Sequence, residues 1–503
     1  MGLIIPLIIF LIISFVGSVF LPTKKEGNIP VIPFYLSLYD ACRGVGKTSF
    51  YNTRLRTLME KHGALYIWSA GRWTVLVTSP KYLVRIFRNE QVVAKSGFNK
   101  KVPWGVFARL MGENITDTRG DLWKTFTSIM KPGIQRPFEI DSLVRKSSKL
   151  VDLFLQDQAM AQGGRGISTD LFVQRWAISI YAEYFLDVEL GCLENPNVRL
   201  ENIMGEFNNA VLPFGPLFTE FPFIEKAAWL FPSRRRAFAL ANEIETLIID
   251  HTEPLTLKKP APGNETKMIY HLQRARAEKS ISEFHYRSNL KMMYIAGNEN
   301  ARFTIISALW ELAQNQLIQD GLRDEILSRL PSTYTANDLN RLPLLTATVY
   351  ETLRLYPPLS QLINRFTMEH FPLDGDVFLP QGSWVGWSAY GVQTATNVWG
   401  PSAREFNPYR WGQDIDEINA AFRLHQSRGN FIAFNGYTRR CLGSGFALMQ
   451  LKVGLCEIIR NVSWIKDPEY KFSPTGRALL GPSDSKLIFK KVVSEGHSRS
   501  DTA

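Results

Sequence analysis

The sequence of 503 residues predicts a mainly α-helical protein with small β-sheets, built as one large domain behind an N-terminal transmembrane helix. Three observations predict this fold class. The chain begins with an apolar run, and hydrophobic residues recur at helical spacing from about residue 80 to residue 355. Strand-like segments lie near residues 61–80, 360–395 and 470–492, so sheet is expected toward both ends of a helical body.

The apolar run is the first element. Residues 2–22 carry no charge, and about twenty apolar residues at about 1.5 Å each are long enough to span a bilayer. A cleaved signal peptide is the competing interpretation, but the run has no basic start and no A-x-A site. Lys24 and Lys25 follow, so the positive-inside rule places the body in the cytosol.

A short linker is expected after the anchor. Pro30 and Pro33 favour an extended spacer, and no comparable linker follows later in the chain. The expected organisation is a transmembrane anchor at 1–22, a basic, proline-containing linker at 23–54, the globular body at 55–495 and a tail at 496–503.

Residues 41–49 partly match a nucleotide-binding motif. ACRGVGKTS at residues 41–49 resembles the end of a phosphate-binding loop, but Ala41 replaces the first glycine and no apolar strand leads into it. We therefore expect a flexible basic approach to the body and no nucleotide site.

Composition narrows the possible functions. A hydrophobic content of 45% with 32 phenylalanines indicates a well-packed folded chain. Four cysteines are too few and too scattered for a disulfide framework, which favours a reducing compartment. The net charge of +11 suits an anionic membrane or an acidic protein, and without a long basic run we expect no nucleic-acid partner.

Cys441 has the most informative surroundings. It lies in FNGYTRRCLG, directly before an amphipathic helix, where the helix dipole and Arg439 and Arg440 would stabilise a thiolate. A lone cysteine is more often a small buried hydrophobe, as we expect for Cys456 on the apolar side of that helix.

Phe434, Arg439, Cys441 and Gly443 at these offsets resemble the haem-binding signature FxxGxRxCxG of the cytochrome P450 family. The resemblance implies the cytochrome P450 fold for the body at 55–495, with haem b as cofactor. It also implies that Cys441 is the axial ligand of the haem iron, that Arg439 pairs with a haem propionate and that Phe434 shields the sulfur. Tyr437 departs from the pattern, because the family has glycine there.

A second motif supports the resemblance. In ETLRLYPP, Glu351 and Arg354 share one helix face, and FNPYRW supplies Arg410. A surface ion pair contributes little to stability. The resemblance instead implies a buried Glu351–Arg354–Arg410 network that supports the haem-binding loop.

The oxygen-activating side is expected in IAGNENARF. An interior glycine costs a helix about 1 kcal/mol relative to alanine, so Gly297 needs a reason. Core packing is one reason. The resemblance implies another, in which Ala296 and Gly297 make room for dioxygen on a distal helix. Glu299 takes the family's acidic position, and Asn300 replaces the usual threonine donor.

Further haem contacts follow from the resemblance. Trp123 matches the family's WxxxR helix, but Thr127 stands in place of the arginine, and Lys124 is the candidate substitute. Arg365 matches a strand arginine that contacts a propionate. Gln393 stands where many members have histidine, and no role is assigned to it.

The implied function is that of a monooxygenase. It would use dioxygen and electrons from an NADPH-cytochrome P450 reductase, with cytochrome b5 as an additional donor, at the endoplasmic reticulum membrane. The loop at 98–115 and the aromatic-rich region 207–224 are expected to line or cover a pocket for an apolar or aromatic small molecule of secondary metabolism, although surface packing explains both stretches equally well. The cations expected to face the reductase are Arg439, Arg440, Lys452 and Lys124.

Three alternatives stay open at this point. A faint likeness to the dityrosine-forming fungal branch, in AGNEN and FNGYTRRCLG, implies oxidative coupling of tyrosine-derived phenols. A haem-thiolate isomerase or dehydratase would need no reductase. A non-enzymatic haem sensor would have no use for an oxygen-sized gap near residues 297–300.

Overall fold

The structure is a computed structural model. It describes residues 17, 26–196, 198–257, 259–474 and 479–492. Apart from Gly17, the predicted anchor at 1–22 lies outside these residues, as does the predicted tail at 496–503. In the described part of the chain, no helix combines the length and apolar character needed to cross a membrane.

The body is mainly helical, as the sequence predicts. The α-helices are α1 Phe34–Cys42, α2 Lys47–Phe50, α3 Arg56–His62, α4 Pro80–Arg88, α5 Phe98–Lys101, α6 Val106–Met111, α7 Gly120–Ile134, α8 Asp141–Met160, α9 Asp170–Tyr181, α10 Arg199–Val211, α11 Gly215–Glu220, α12 Pro232–Thr252, α13 Met268–Ala277, α14 Glu283–Gln314, α15 Gln316–Arg329, α16 Ala336–Asn340, α17 Pro343–Leu355, α18 Ala389–Gln393, α19 Thr396–Trp399, α20 Ile415–Ser427 and α21 Ser444–Asn461.

Small sheets flank the helices. The strands are β1 Ala64–Ser69, β2 Arg72–Val77, β3 Val93–Lys95, β4 Ile167–Ser168, β5 Gln361–Thr367, β6 Phe371–Asp374, β7 Val377–Leu379, β8 Trp384–Ser388, β9 Val462–Lys466 and β10 Lys486–Lys491. The largest sheet has the order β1-β2-β8-β5-β3, in which only β2 and β8 are parallel. A second sheet has the order β4-β10-β9, and β6 pairs with β7. The expected hairpin near 61–80 is therefore β1–β2.

The pairing of β3 with β5 joins distant parts of the chain. Lys95 lies opposite Arg365 in an antiparallel register. Directly opposed residues of an antiparallel pair have their side chains on the same face of the sheet. Two cationic residues that are far apart in sequence are thus adjacent in the fold.

Helix α14 runs through the interior. The Ser282 hydroxyl caps its start by accepting a hydrogen bond from the His285 N–H at 3.2 Å. It packs against α9, α17 and α21, and most of its second half is buried. Buried side chains of these helices form the larger core, and a smaller core lies between the main sheet and α4.

The segment expected to be a linker is folded. Residues 34–42 and 47–50 are helical, and the Ile32 N–H donates to the Tyr66 carbonyl of β1 at 2.9 Å. Phe50, Tyr51 and Leu55 are buried with residues of β1. The stretch at 41–49 is therefore part of this packed region, and a flexible approach is not observed there.

Candidate active site

The turn that contains Cys441 connects α20 to α21. The Cys441 N–H donates to the Phe434 carbonyl at 2.9 Å, which closes the turn, and α21 begins at Ser444. The Phe434 side chain is buried, and the space beside Gly443 would admit a Cβ atom. The Cys441 side chain is accessible although protein atoms surround it as densely as an interior group. A ligand can therefore reach the thiol, although the turn around it is packed.

The surroundings of the thiol suit a metal ligand. Burial raises the pKa of Cys441, and the Gly443 N–H and the charge of Arg440 oppose this rise without reversing it. The helix start and Arg440 therefore favour the thiolate, as expected, but burial outweighs them in the protein by itself. A buried thiol is a poor nucleophile, whereas a thiol that coordinates a metal is deprotonated.

Tyr437 keeps the backbone conformation that the family's glycine would allow. Its φ is 54°, in the left-handed region, which costs a residue with a Cβ atom about 1 kcal/mol. The Tyr437 hydroxyl donates to the Ser427 carbonyl at 2.9 Å, and the Arg88 guanidinium lies 5.1 Å from the ring centre. These contacts offset the strain, so the turn tolerates the departure.

Arg439 is held inside the protein beside the turn. Its guanidinium lies 4.0 Å from the centre of the Trp123 ring, and its Nη2 pairs with Glu90 at 2.6 Å and donates to the Thr118 carbonyl at 2.7 Å. Its buried Nε has no hydrogen-bond partner. Burial lowers the pKa of Arg439 to about 9, although Glu90 pairs with its Nη2.

Arg365 is the second buried cation of the site. Its Nη1 pairs with Glu90 and donates to the Val93 carbonyl at 3.1 Å, but its Nε and Nη2 have no partner. Burial, and then the charge of Arg439, lower the pKa of Arg365 to about 9. Two fully buried guanidinium groups therefore share one carboxylate.

These unpaired donors fit the carboxylate end of a haem. Buried cations without counter-ions are costly, and guanidinium N–H groups match carboxylate oxygens geometrically. The free donors of Arg365 and Arg439 can receive two further carboxylate groups, and Arg439 is two residues from the thiol. The structure thus brings Trp123, Arg365, Arg439 and Cys441 together, and Glu90 is a member that sequence reasoning missed.

Lys124 does not join this group. Its side chain is 71% exposed and pairs with Asp121, one helix turn away, at 3.0 Å. Thr127 takes the arginine position on the same face as Trp123, and its buried hydroxyl has no partner. The structure therefore does not support Lys124 as the substitute for the missing arginine.

Gly297 of α14 is required by helix packing. A Cβ atom at this position would lie 2.3 Å from the Tyr181 ring of α9. The glycine therefore lets α9 and α14 approach closely, as the packing alternative predicts. The role of Gly297 in making room for dioxygen stays a prediction.

Ala296 and Asn300 share a different face of α14. Both are only partly buried, and the Asn300 Nδ2 donates to the Ala296 carbonyl at 3.1 Å. The Thr304 hydroxyl donates to the Asn300 carbonyl at 2.8 Å. One amide proton of Asn300 is thus engaged by its own helix, and its other polar groups remain for a ligand.

Glu299 belongs to an ion-pair chain. Its Oε1 lies 3.2 Å from Arg302 Nη1, and Arg302 Nη2 lies 2.6 Å from Asp170 at the start of α9. Burial opposes the charge on Arg302, but the two carboxylates outweigh it and raise its pKa. Glu299 is therefore tied to a cation and does not act as an isolated acid.

The Glu351–Arg354–Arg410 network is formed as the resemblance implies. Arg354 makes a bidentate pair with Glu351 at 2.8 Å, and Arg410 Nε contacts Glu351 Oε1 at 2.8 Å. Trp411 Nε1 donates to the same carboxylate at 3.0 Å, and both members of the Glu351–Arg354 pair are fully buried. Both oxygens of the Glu351 carboxylate therefore accept hydrogen bonds.

Gln393 links this network to the cysteine turn. Its Nε2 donates to the carbonyls of Leu353 and Arg354 at 2.9 Å, and its Oε1 accepts from the Ile432 N–H at 2.7 Å. Ile432 lies two residues before Phe434. Gln393 thus has a structural role that the sequence did not reveal.

The expected cationic patch is smaller than predicted. Arg440 and Lys124 are exposed, but Arg439 is buried, and Lys452 is buried with its ammonium donating to Asn340 at 3.0 Å. Burial lowers the pKa of Lys452 to about 8. The inclusion of Arg439 and Lys452 in a surface patch was therefore wrong, because α21 is covered on the side that carries Lys452.

The fold and the donor set define a haem-thiolate protein. A family model described as Cytochrome P450 matches residues 30–489. The chain is 42% identical over 458 residues to Cytochrome P450 monooxygenase xanG of Aspergillus fumigatus, which covers 89% of this chain and 84% of that protein. It is 29% identical over 492 residues to Cytochrome P450-DIT2 of Saccharomyces cerevisiae, covering 97% and 98%. Identity to Cytochrome P450 72A15 of Arabidopsis thaliana is 24% over 457 residues, covering 86% and 83%.

The chain therefore belongs to the cytochrome P450 family, its activity is that of a P450 monooxygenase, and its cofactor is protoporphyrin IX haem. Monooxygenases of this family generally take electrons from a reductase and act on small molecules.

Proposed function

We propose that this P450 oxidises an apolar or aromatic small molecule of secondary metabolism, using dioxygen and electrons from an NADPH-cytochrome P450 reductase. When bound, the haem supplies the oxygen-activating chemistry, and the chain supplies binding, orientation and exclusion of water. The residues assigned to the haem are Cys441 as iron ligand and Arg439, Arg365, Trp123, Phe434 and Gly443 as its surroundings, with Ala296, Glu299 and Asn300 on the opposite side.

The observation that carries the assignment is the accessible side chain of Cys441 directly before α21, two residues from a buried arginine with a free donor. The test is the ferrous–carbon monoxide difference spectrum. Thiolate ligation gives a band near ~450 nm, which Cys441→Ser should abolish. A band that persists in Cys441→Ser, or that is absent from folded wild-type protein, contradicts the assignment.

Aromatic contacts support an apolar substrate. The Phe98 and Phe107 rings lie 5.5 Å apart, and Phe107 and Phe207 lie 5.9 Å apart, so the two segments expected to border the pocket touch. Trp104 Nε1 also donates to the Pro222 carbonyl at 2.8 Å. Planar substrates stack well on such rings. Phe107→Ala should weaken substrate-induced Soret shifts, and unchanged shifts would contradict the assignment of this wall.

Oxidative coupling of phenols is the second candidate, and Asn300 favours it. The chain has an amide where the family has a hydroxyl donor, and the neighbouring acid is paired with Arg302. Coupling inserts no oxygen: two phenols, O₂, NADPH and H⁺ give one coupled bisphenol, two waters and NADP⁺. Incubation with ¹⁸O₂ separates the candidates, because hydroxylation labels the product and coupling labels only water. Turnover without reductase and NADPH would instead indicate an isomerase or dehydratase.

The proposal includes the endoplasmic reticulum membrane as the location, with a single-pass anchor at 1–22 and the catalytic domain in the cytosol. Cytochrome b5 is a further proposed donor. Arg440 and Lys124 are exposed cations that can contact an acidic reductase. The reduction rate should fall as salt rises, and a rate that does not depend on salt would argue against this contact.

A further inference from the structure

Helix α7 lacks the arginine that the family's WxxxR motif places beside the haem carboxylates, because Thr127 stands at that position. Trp123 and Thr127 lie one turn apart on α7, and the Trp123 ring contacts Arg439. Thr127 contributes a neutral hydroxyl that is buried and has no hydrogen-bond partner. Lys124 turns away and pairs with Asp121. Helix α7 therefore presents an aromatic face and an unsatisfied hydroxyl to the site, but no charge.

Lys95 lies on the other wall of the same site. It is opposite Arg365 in the β3–β5 pair, so the two side chains share a face of the sheet. Lys95 is only 5% exposed, and its ammonium makes no hydrogen bond or ion pair with any described side chain. Its nearest recorded ring contact is with Trp387, at 5.9 Å. A buried ammonium with three free donors is costly unless an anion faces it.

The charges around Lys95 leave a cationic excess. Lys95, Arg365 and Arg439 are balanced only by Glu90, which pairs with both arginines, and by Asp117. Burial raises the pKa of Asp117, and the charge of Lys95 opposes that rise. Burial also lowers the pKa of Lys95 to about 7, with Asp117 raising it and Arg439 lowering it further. The three cations and two carboxylates leave one positive charge in excess, so the protein alone compensates this ammonium only in part.

We propose that Lys95 is the third cation of the haem carboxylate site and replaces the arginine that α7 lacks. It binds a haem carboxylate from the sheet side, next to Arg365, while Trp123 and Arg439 hold the helix side. The inference rests on the haem cofactor and on the placement of Arg365 and Arg439, and it is independent of the substrate.

The test is haem retention by the holoenzyme. Ferric protein is mixed with excess apomyoglobin, and haem transfer is followed by absorbance without substrate, reductase or NADPH. Because a charge-assisted hydrogen bond is lost, Lys95→Met should lose haem about tenfold faster or more, whereas Lys95→Arg should stay close to wild type. Lys124→Met is the matched control on α7 and should not change the rate.

A second-site variant sharpens the test. Thr127→Arg places a cation at the vacant helix position, so it should slow haem loss in the Lys95→Met background. The ~450 nm band of the carbon monoxide complex should keep its position in every variant, because the cysteine turn is not altered. That result would separate the carboxylate end of the site from the iron ligand.

The outcomes divide clearly. Equal rates of haem loss in wild type and Lys95→Met would overturn the proposal. If Lys95→Met also showed a weaker substrate-induced Soret shift, Lys95 would belong to the substrate pocket instead. If Lys95→Met is not recovered with haem, recovery of haem-loaded Lys95→Met/Thr127→Arg supports the proposal, and failure of that double variant contradicts it.

Discussion

The cysteine side of the proposed haem site is tied to the rest of the molecule by buried ion pairs and backbone hydrogen bonds, whereas Ala296, Gly297 and Asn300 on the proposed distal side are small or neutral. Glu351 alone accepts from Arg354, Arg410 and Trp411, and Gln393 extends that network to the turn. On α14, the Asn300 amide bonds mainly to its own helix. The comparison teaches that many polar contacts support the cysteine turn, whereas few polar contacts hold the proposed distal residues.

Neutralising Glu351 should destabilise the cysteine side of the proposed site more than any other change considered. Glu351→Gln leaves Arg354 fully buried without a counter-charge, and breaking a buried pair costs about 3–5 kcal/mol. We expect that decrease in the free energy of unfolding, measured by denaturant titration. Asp121→Asn removes the exposed pair with Lys124 and should cost about 0–1 kcal/mol. Equal effects in the two variants would show that the network does not differ from a surface pair.

On the distal side, Gly297→Ala tests packing. The new Cβ atom would meet the Tyr181 ring at 2.3 Å, and overpacking costs about 1–3 kcal/mol, partly offset by the better helix propensity of alanine. We expect a lower melting temperature. Tyr181→Leu in the same background should relieve the clash. Wild-type stability in Gly297→Ala alone would remove packing as the reason for the glycine.

Asn300→Thr tests whether the amide sets the chemistry. Because α14 accommodates Thr304 with its hydroxyl bonded back to the helix, threonine at 300 should fold without loss of stability. We expect a severalfold change in product formed per NADPH consumed, since a repositioned proton donor alters the rate by general acid catalysis. An unchanged ratio would argue that Asn300 has no part in proton delivery.

Tyr437→Gly should have the smallest effect. The change removes about 1 kcal/mol of left-handed strain and also the hydrogen bond to Ser427, which is worth about 1 kcal/mol. We expect unfolding free energies within about 1 kcal/mol of wild type and an unchanged carbon monoxide spectrum. Tyr437→Phe, which keeps the strain and loses the hydrogen bond, should be the less stable variant. A large spectral shift in Tyr437→Gly would mean that the tyrosine shapes the turn.

The sequence predicted the features that depend on residues close together in the chain. The helical body and the β1–β2 hairpin follow from local periodicity, and the Glu351–Arg354–Arg410 network follows from the resemblance to the family. Glu90 and Lys95 were missed because a single charged residue near a short strand carries no local signal. Their place is decided only when β3 pairs with β5. Lys452 was misplaced for a related reason, since helical spacing does not reveal which faces of α21 are covered.

The ion pair between Glu90 and Arg439 also sets an order of events during synthesis. About 350 residues separate the two partners, and a ribosome adding about 5–20 residues per second needs roughly 20–70 seconds to produce that length. For most of that interval the emerging chain carries Glu90 and Lys95 without either arginine, and Arg365 is synthesised before Arg439. On the proposed assignment, the haem site is complete only after Arg439 and Cys441 have been synthesised.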